Sequence, residues 1–500
     1  MPEKHHIFYL GVDQGTTGTT ALLLDENWNI KSKAYSEHKQ IYPKPGWVEH
    51  DPMEIWEKTK GSIQCALKSG DVRTSQIRCL GIANQGETVM VWDKKTGIPV
   101  HNAIVWQDRR TSKMADALKA ECGAMISDKT GLVVDAYFSA LKIRWILDNV
   151  EGAEKAAEKG DLLAGTLDSW LIWKLTGGKI HITDYSTASR TMLLNINTGK
   201  WDDEIINKIA IPKNMLPEIK DTCGHFGVTD IDLFGAEIPI SGSAVDQQAA
   251  LFGQACYHTG SVKTTYGTGC FILMNTGRKI VRSPGGLLTT VAWGLDKEMT
   301  FALDGGIYIA CAAIQWLRDG IGIINSADET EAIAKSVPDT GGLVFVPAFA
   351  GLAAPHWDQY ARGMMIGITG GTTRAHIVRA TLESIAFQVN DNLDVMKRDS
   401  GIDVDIIRAD GGAVLNGFLM QFQADILGIP VDVPVINETT ALGAAYMAAL
   451  GIGDFTSLDE ISKNWKLRKR YEPKMPRDRR DALVANWRKA VDRAKNWAEE

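Results

Sequence analysis

One pattern built to grip phosphate occurs twice in this chain. Asp13-Gln14-Gly15-Thr16-Thr17-Gly18 lies near the start and Thr264-Thr265-Tyr266-Gly267-Thr268-Gly269 near the middle. Apolar runs flank both: Ile7-Phe8-Tyr9-Leu10 and Ala21-Leu22-Leu23-Leu24 around the first, Ser261-Val262-Lys263 and Phe271-Ile272-Leu273-Met274 around the second. Each place is predicted to form strand, turn, strand, and the repetition predicts two matching lobes with a nucleotide between them. Glycine lets backbone approach an anion, while Thr hydroxyls and the N–H groups of a turn donate to phosphate oxygens. A P-loop would need G-x-x-x-x-G-K-[ST] leading into a helix. Here no lysine follows and a second strand does, which argues against that class. Either turn alone reads better as a Gly/Thr hairpin; the acid opening the first and the repeat shift the balance toward phosphate.

The chain's 500 residues exceed what one hydrophobic core usually organises, so two large domains are expected. A net charge of -7 argues against a nucleic-acid surface, which needs clustered Lys and Arg, and favours small-molecule partners. The polar N-terminus has no apolar core of a signal peptide and no 18-residue apolar run follows, so a cytoplasmic protein without membrane insertion is expected. The 7 cysteines are scattered and never in C-x-x-C spacing, which predicts free thiols. The histidines never fall into ligand spacing, which disfavours a metal hydrolase or deaminase.

Mixed strands and helices are predicted throughout: strands at Cys79–Ala83, Val89–Trp92 and Leu343–Pro347, helices from Thr111 and over Ala375–Lys397. Leu483, Trp487, Ala490, Val491, Ala494 and Trp497 fall at helical spacing near the C-terminus. The basic run Lys466 to Arg470 reads as a solvated face. The domain junction is placed just before the second turn, dividing the chain into 1–252 and 253–500.

Three clusters can carry chemistry. Asp246, flanked by Gln247 and Gln248, stands between a Gly/Ser stretch read as a loop and an apolar helix start. By itself it reads as an N-cap; beside a phosphate turn, a base for an alcohol becomes plausible. Asp410-Gly411-Gly412-Ala413 follows a β-like run over Val404–Ile407, and its small residues suit a ring or ribose as well as a tight turn. Asn84-Gln85-Gly86-Glu87-Thr88 and Val105-Trp106-Gln107-Asp108-Arg109-Arg110 combine amides, carboxylates and an indole, the groups of a polyol pocket.

These motifs together, with Ile41 to Trp56, Asn102 to Gln107, Thr265 to Phe271, Tyr137 to Trp145 and Gly363 to Gln388, closely resemble the glycerol-kinase branch of the FGGY carbohydrate kinases, from about residue 8 to the C-terminus. The resemblance implies a two-domain α/β fold of the actin-like ATPase (ribonuclease H-like) type with a central cleft. It implies ATP and Mg²⁺ as cofactors, a small polyol as substrate and a homo-oligomer. Asp246 would be the general base; Glu87, Tyr137 and Gln247 would hold the polyol, with Trp106 and Phe271 as apolar walls. Thr16, Thr17 and Gly18 would meet phosphate from the first turn and Thr268 from the second. Gln315, Gly412 and Asn416 would line the adenosine, and Asp13 would organise Mg²⁺ through water.

Four departures stand out. Gly86 replaces an arginine that bonds a substrate hydroxyl in the family, which deletes a donor fork and is expected to open volume for a four- or five-carbon polyol. Thr20 replaces an arginine near the nucleotide phosphates, and Cys311 a glycine near the nucleotide. Asp108 stands where the family usually has no acid. Three readings follow: a kinase for glycerol or a similar polyol, a kinase for erythritol, threitol or xylitol, and a non-catalytic actin-like nucleotide binder. Asp246 with Glu87, Tyr137 and Gln247 argues against the last, since an ATP switch has no need of a polyol pocket with a base.

Overall fold

The apolar runs around the first turn pair as an antiparallel hairpin, β1 (Phe8–Gln14) with β2 (Gly18–Asp25), and β3 (Ile30–Glu37) adds to its outer edge. The structure, a computed structural model, describes residues 6–498. On the other side of β1 the chain returns as β4 (Ile77–Asn84), parallel to β1, and β6 (Pro239–Val245) lies parallel to β4, with β5 (Cys223–Val228) antiparallel at the edge. The sheet order is therefore β5-β6-β4-β1-β2-β3. The segment before Asp246, expected as a Gly/Ser loop, is strand β6: its small residues serve close packing, not a turn.

That packing is unusually tight on one face. The helix Thr439–Gly451 lies backbone to backbone on the sheet: a Cβ on Gly11 would stand 1.9 Å from the Ala441 carbonyl oxygen, and one on Gly81 1.9 Å from that of Ala444. The helix Pro52–Gly70 covers the hairpin, opened by Asp51, whose carboxylate accepts from Met53 N. Buried Leu10, Val12, Leu23, Ile55, Ile63, Leu80, Trp92 and Trp170 fill this core.

The second turn repeats the arrangement. β7 (Val262–Tyr266) and β8 (Cys270–Gly277) form an antiparallel hairpin, and β9 (Ile407–Asp410) runs parallel to β7. β10 (Val431–Pro434) and β11 (Leu467–Tyr471) extend the sheet. The 27-residue helix Arg374–Ser400 supplies much of this core through Val378, Leu382, Ile385, Val389 and Leu393. The basic run falls on β11, an exposed edge strand whose charges suit an edge; Arg470 Nε donates to Asp432 at 2.7 Å. The strand expected over Val404–Ile407 begins only at Ile407. The C-terminal helix, Arg477–Ala494, buries Trp487, Ala490, Val491 and Ala494, but it stops before Trp497, which is 70% exposed.

Two compact units result, and neither is a continuous stretch. One comprises 1–255, 289–301 and 439–464; the other comprises 256–288, 302–438 and 465–500. No described helix is long and apolar enough to cross a membrane. All 7 cysteines are free thiols.

Candidate active site

Within the first unit, strand register brings the site together. Asp13 pairs with Ala83 and Gln14 with Asn84 across β1 and β4, while Ala244 pairs with Ala83 and Val245 with Asn84 across β6 and β4. Three parallel strands therefore end at one edge, the end at which open α/β sheets bind ligands. Asp13 is the penultimate residue of β1, Glu87 follows β4, and Asp246 follows β6 as the first residue of the helix Asp246–Gly253. The N-cap of that helix is Val245, and Asp246 Oδ1 accepts from Gln247 N at 2.7 Å, so Asp246 is not the N-cap its sequence position suggested. Asp246 and Gln247 are both partly exposed.

The first phosphate turn is held from several sides. Gly15 N donates to Gly18 O at 2.9 Å, and Gln40 Nε2 donates to Thr16 O at 2.8 Å. A Cβ on Gly18 would meet the Ser36 carbonyl at 2.6 Å. Trp106 Nε1 donates to Thr16 Oγ1 at 2.8 Å, and the Trp106 and Tyr137 rings meet edge to face at 5.7 Å. Thr17 is exposed at the tip. Thr20 stands opposite Asp13 in the hairpin.

Glu87, 4% exposed, is paired with a residue the sequence did not single out. Arg190 Nε donates to Glu87 Oε1 at 2.6 Å, and both side chains are buried. Arg190 follows a short helix, Tyr185–Ala188, capped by the buried carboxylate of Asp184 through Ser186 N and Thr187 N. A single arginine between Ser189 and Thr191 has no periodic or paired signal in the sequence, and its partner lies 103 positions away. Lys142 also stands alone in the sequence, although its partner is only 5 positions away. Fully buried, it donates to the Tyr137 carbonyl at 2.7 Å, and burial pulls its amine down to about 7.

Two readings need correction. The space expected at Gly86 is filled: a Cβ there would lie 2.9 and 3.0 Å from the Val245 methyls and 3.2 Å from Arg190 Cγ. Asp108, read as a pocket carboxylate, is fully buried and committed to structure. It accepts from Val48 N at 2.7 Å and from Arg110 N at 2.8 Å, and Arg110 Nη2 bridges it to Glu49. Arg110 itself lies over Trp47 and Trp145.

In the second unit, Gly267 N donates to Gly269 O at 2.9 Å, echoing the first turn. The N-terminus of the helix Cys311–Asp319 closes on this turn: Cys311 N donates to Gly267 O at 3.2 Å, and Ala310 N and Ala312 N to Thr268 O at 3.0 Å. Burial raises the Cys311 thiol to about 11, leaving it an inert packing group. Thr268, Gln315 and Gly412 are exposed and Phe271 partly so. Nothing stands within 4 Å of a Cβ on Gly412. Asn416 is oriented at both ends of its amide, as N-cap to Leu419 N and as donor to Thr330 Oγ1 at 3.0 Å, which leaves one N–H and one lone pair for a ligand.

The donor set fits magnesium better than a caged metal. Among the described residues no group of three His, Cys, Asp or Glu side chains is poised for an ion. Asp13 is a single carboxylate at a phosphate turn, which suits a cation that keeps most of its water and binds largely through substrate phosphates.

Two sheets, each a hairpin joined to a parallel strand and each carrying a Gly/Thr turn, define the actin-like ATPase class. The N-terminal domain of the FGGY family of carbohydrate kinases matches residues 8–253 and the C-terminal domain residues 262–452. The chain belongs to the FGGY family of carbohydrate kinases, and it is an enzyme that transfers phosphate from ATP. It is 56% identical over 491 residues to glycerol kinase 2 of Thermotoga maritima, covering 98% of this chain and 99% of that one. Glycerol kinase of Petrotoga mobilis is 56% identical over 494 residues, 99% of each chain. Among solved structures, Plasmodium falciparum glycerol kinase with ADP superposes with a TM-score of 0.91 at 37% identity over 98% of both chains. A gluconate kinase from Lactobacillus acidophilus shares the fold, with a TM-score of 0.85 at 22% identity over 98% of this chain and 97% of that one.

Proposed function

We propose that this chain phosphorylates a terminal hydroxyl of glycerol with ATP, and that Asp246 is the general base. The observation that carries the reading is the common edge of β1, β4 and β6, where Asp13, Glu87 and Asp246 emerge beside one phosphate turn. Transfer to an alcohol needs an acceptor for the hydroxyl proton as the oxygen attacks, and a carboxylate at the head of a short helix is fixed in position for that task. Glu87, Tyr137 and Gln247 are assigned to the polyol hydroxyls, with Trp106 and Phe271 against its C–H face. The bond from Trp106 to Thr16 would couple polyol seating to the phosphate turn. Thr16, Thr17, Gly18 and Thr268 are assigned to the phosphates, and Gln315, Gly412 and Asn416 to the adenosine. Bound through water at Asp13, Mg²⁺ would neutralise phosphate charge. On this reading residues 1–252 carry the polyol and the first phosphate turn, and 253–500 the nucleotide. A cytoplasmic homo-oligomer is proposed by analogy with the family.

Relatives named glycerol kinase over nearly the full chain support glycerol as substrate. The filled space at Gly86 weighs against a longer polyol. The test is ADP release with Mg-ATP against glycerol, erythritol, both threitols, xylitol and ribitol. The highest kcat/KM is expected for glycerol; a higher value for any four- or five-carbon polyol would overturn that choice, and no transfer to any of them would overturn the kinase assignment of these residues.

A further inference from the structure

We propose that Arg190 is a specificity-determining residue of the polyol site, holding Glu87 in place as an acceptor for a substrate hydroxyl, and that glycine at 86 is what makes room for it. This rests on the proposed polyol reading. Arg190 reaches two of the residues assigned to the polyol, Glu87 and Tyr137. Its Nε donates to Glu87 Oε1 at 2.6 Å. Its guanidinium lies 5.8 Å from the Tyr137 ring centre and 5.7 Å from that of Phe138, within cation–π range. Its Cγ stands 3.2 Å from where a Cβ on Gly86 would be, and Val245, the residue before Asp246, closes the same spot at 2.9 Å.

A buried ion pair is weak evidence of stability, because desolvating both charges offsets their attraction. Its better use here is orientation. With Oε1 accepting from the arginine, the carboxylate is held in one orientation that leaves Oε2 to accept from a ligand, so the site favours a ligand with a hydroxyl there over one with hydrogen. Sites built to bond a hydroxyl reject analogues lacking it far more strongly than apolar pockets separate homologues. A side chain at 86 would press on the Val245 methyls and on the Arg190 stem.

The experiment measures KM, kcat and the preference for glycerol over 1,2- and 1,3-propanediol for wild type, Arg190→Gln, Arg190→Lys, Gly86→Ala and the Gly86→Ala/Arg190→Gln double variant, with KM for ATP and thermal melting alongside. Losing one charged hydrogen bond should raise the glycerol KM about 10- to 100-fold in Arg190→Gln and shrink the preference over the propanediols, with KM for ATP unchanged. Arg190→Lys should fall between. Gly86→Ala should shift KM and preference the same way, and the double variant should be no worse than the worse single change. Wild-type KM and preference in both Arg190→Gln and Gly86→Ala, whatever their melting points, would overturn the proposal. If Arg190→Gln fails to fold, Gly86→Ala and Arg190→Lys decide on the same two readouts. A wild type that prefers another polyol refutes glycerol alone; Arg190 is then judged on that polyol and its deoxy analogue.

Discussion

Residue types told most where chemistry left them few alternatives and least where two jobs compete for one side chain. Asp246 beside two amides was legible as a candidate base, and the structure sets it one residue past the N-cap, Val245, with Oδ1 accepting from Gln247 N. Asp108 and Asn416 look equally functional in sequence, yet one is buried against Val48 N and Arg110 and the other is oriented by Leu419 N and Thr330. Nothing local separates these cases, because the deciding partners lie up to 86 positions away. For Asp246 the consequence is direct. Asp246→Asn removes the proton acceptor while keeping size and polarity, so kcat should fall by about 100-fold or more, while ATP affinity, measured by calorimetry, should stay within a few-fold of wild type. Retention of most of the wild-type kcat would remove Asp246 from the base role.

Among the elements, the two hairpins were readable because apolar runs on either side of a glycine turn have few other outcomes. A few helices were read from the sequence, among them the long helix Arg374–Ser400 and the C-terminal helix Arg477–Ala494. The helix Thr439–Gly451 was not readable in this way: it is apolar on every face, with Ala and Gly between Leu442, Tyr446, Met447 and Leu450, and nothing in its periodicity tells which sheet it covers. The structure shows glycine at two contacts of this helix: Gly11 and Gly81 from the strands beneath it, and its own Gly443 against the helix Asp246–Gly253, where a Cβ would lie 1.9 Å from the Ala249 carbonyl. Gly81→Ala would force backbone apart, so a loss of at least about 1–3 kcal/mol is expected, read as a lower denaturation midpoint; an unchanged midpoint would mean the helix shifts freely. The short strand Glu49–His50 makes a second case. His50 Nε2 bonds Gln40 Oε1 at 2.7 Å, and Gln40 in turn holds Thr16 O. Burial, and then the facing His38, lowers His50 from 6.5 to about 3. The folded protein refuses a proton that the unfolded chain takes up below 6.5, so this group costs stability as pH falls from 6.5 toward 3. Buried Asp168 and Glu383, raised to about 6 and 7, act in the opposite sense over part of that range. The check is therefore a difference: melting of His50→Gln should fall less steeply than wild type between pH 6.5 and 4, and equal slopes would show that His50 does not titrate as its burial requires.

For the molecule as a whole, sequence order hides that 289–301 and 439–464 pack with the first 255 residues, since which distant segments fill one core depends on shape rather than local pattern. The same concealment applies to charge. A net charge of -7 describes the surface, whereas the response to pH near neutrality depends on groups taken out of water. Lys142 is the clearest of them: burial lowers it from 10.5 to about 7 despite Glu87 and Asp108 nearby, and Lys174 is lowered in the same way. Above pH 7 the folded state releases the Lys142 proton while the unfolded chain keeps it up to about 10.4. The unfolded state then binds more protons, so stability rises with pH, by at most about 1.4 kcal/mol per pH unit for one proton. The rise is cleanest between 7 and 9; above 9 the buried thiols of Cys79 and Cys256, held up at about 12, reverse it because the unfolded chain loses their protons first. Lys142→Met should therefore flatten the stability profile between pH 7 and 9, measured by urea unfolding at constant ionic strength. The absolute level is no guide, because methionine also loses the bond to the Tyr137 carbonyl; the slope is. An unchanged slope in the variant would mean that Lys142 keeps its proton in the folded protein, held there by Glu87 and Asp108 against the cost of burial.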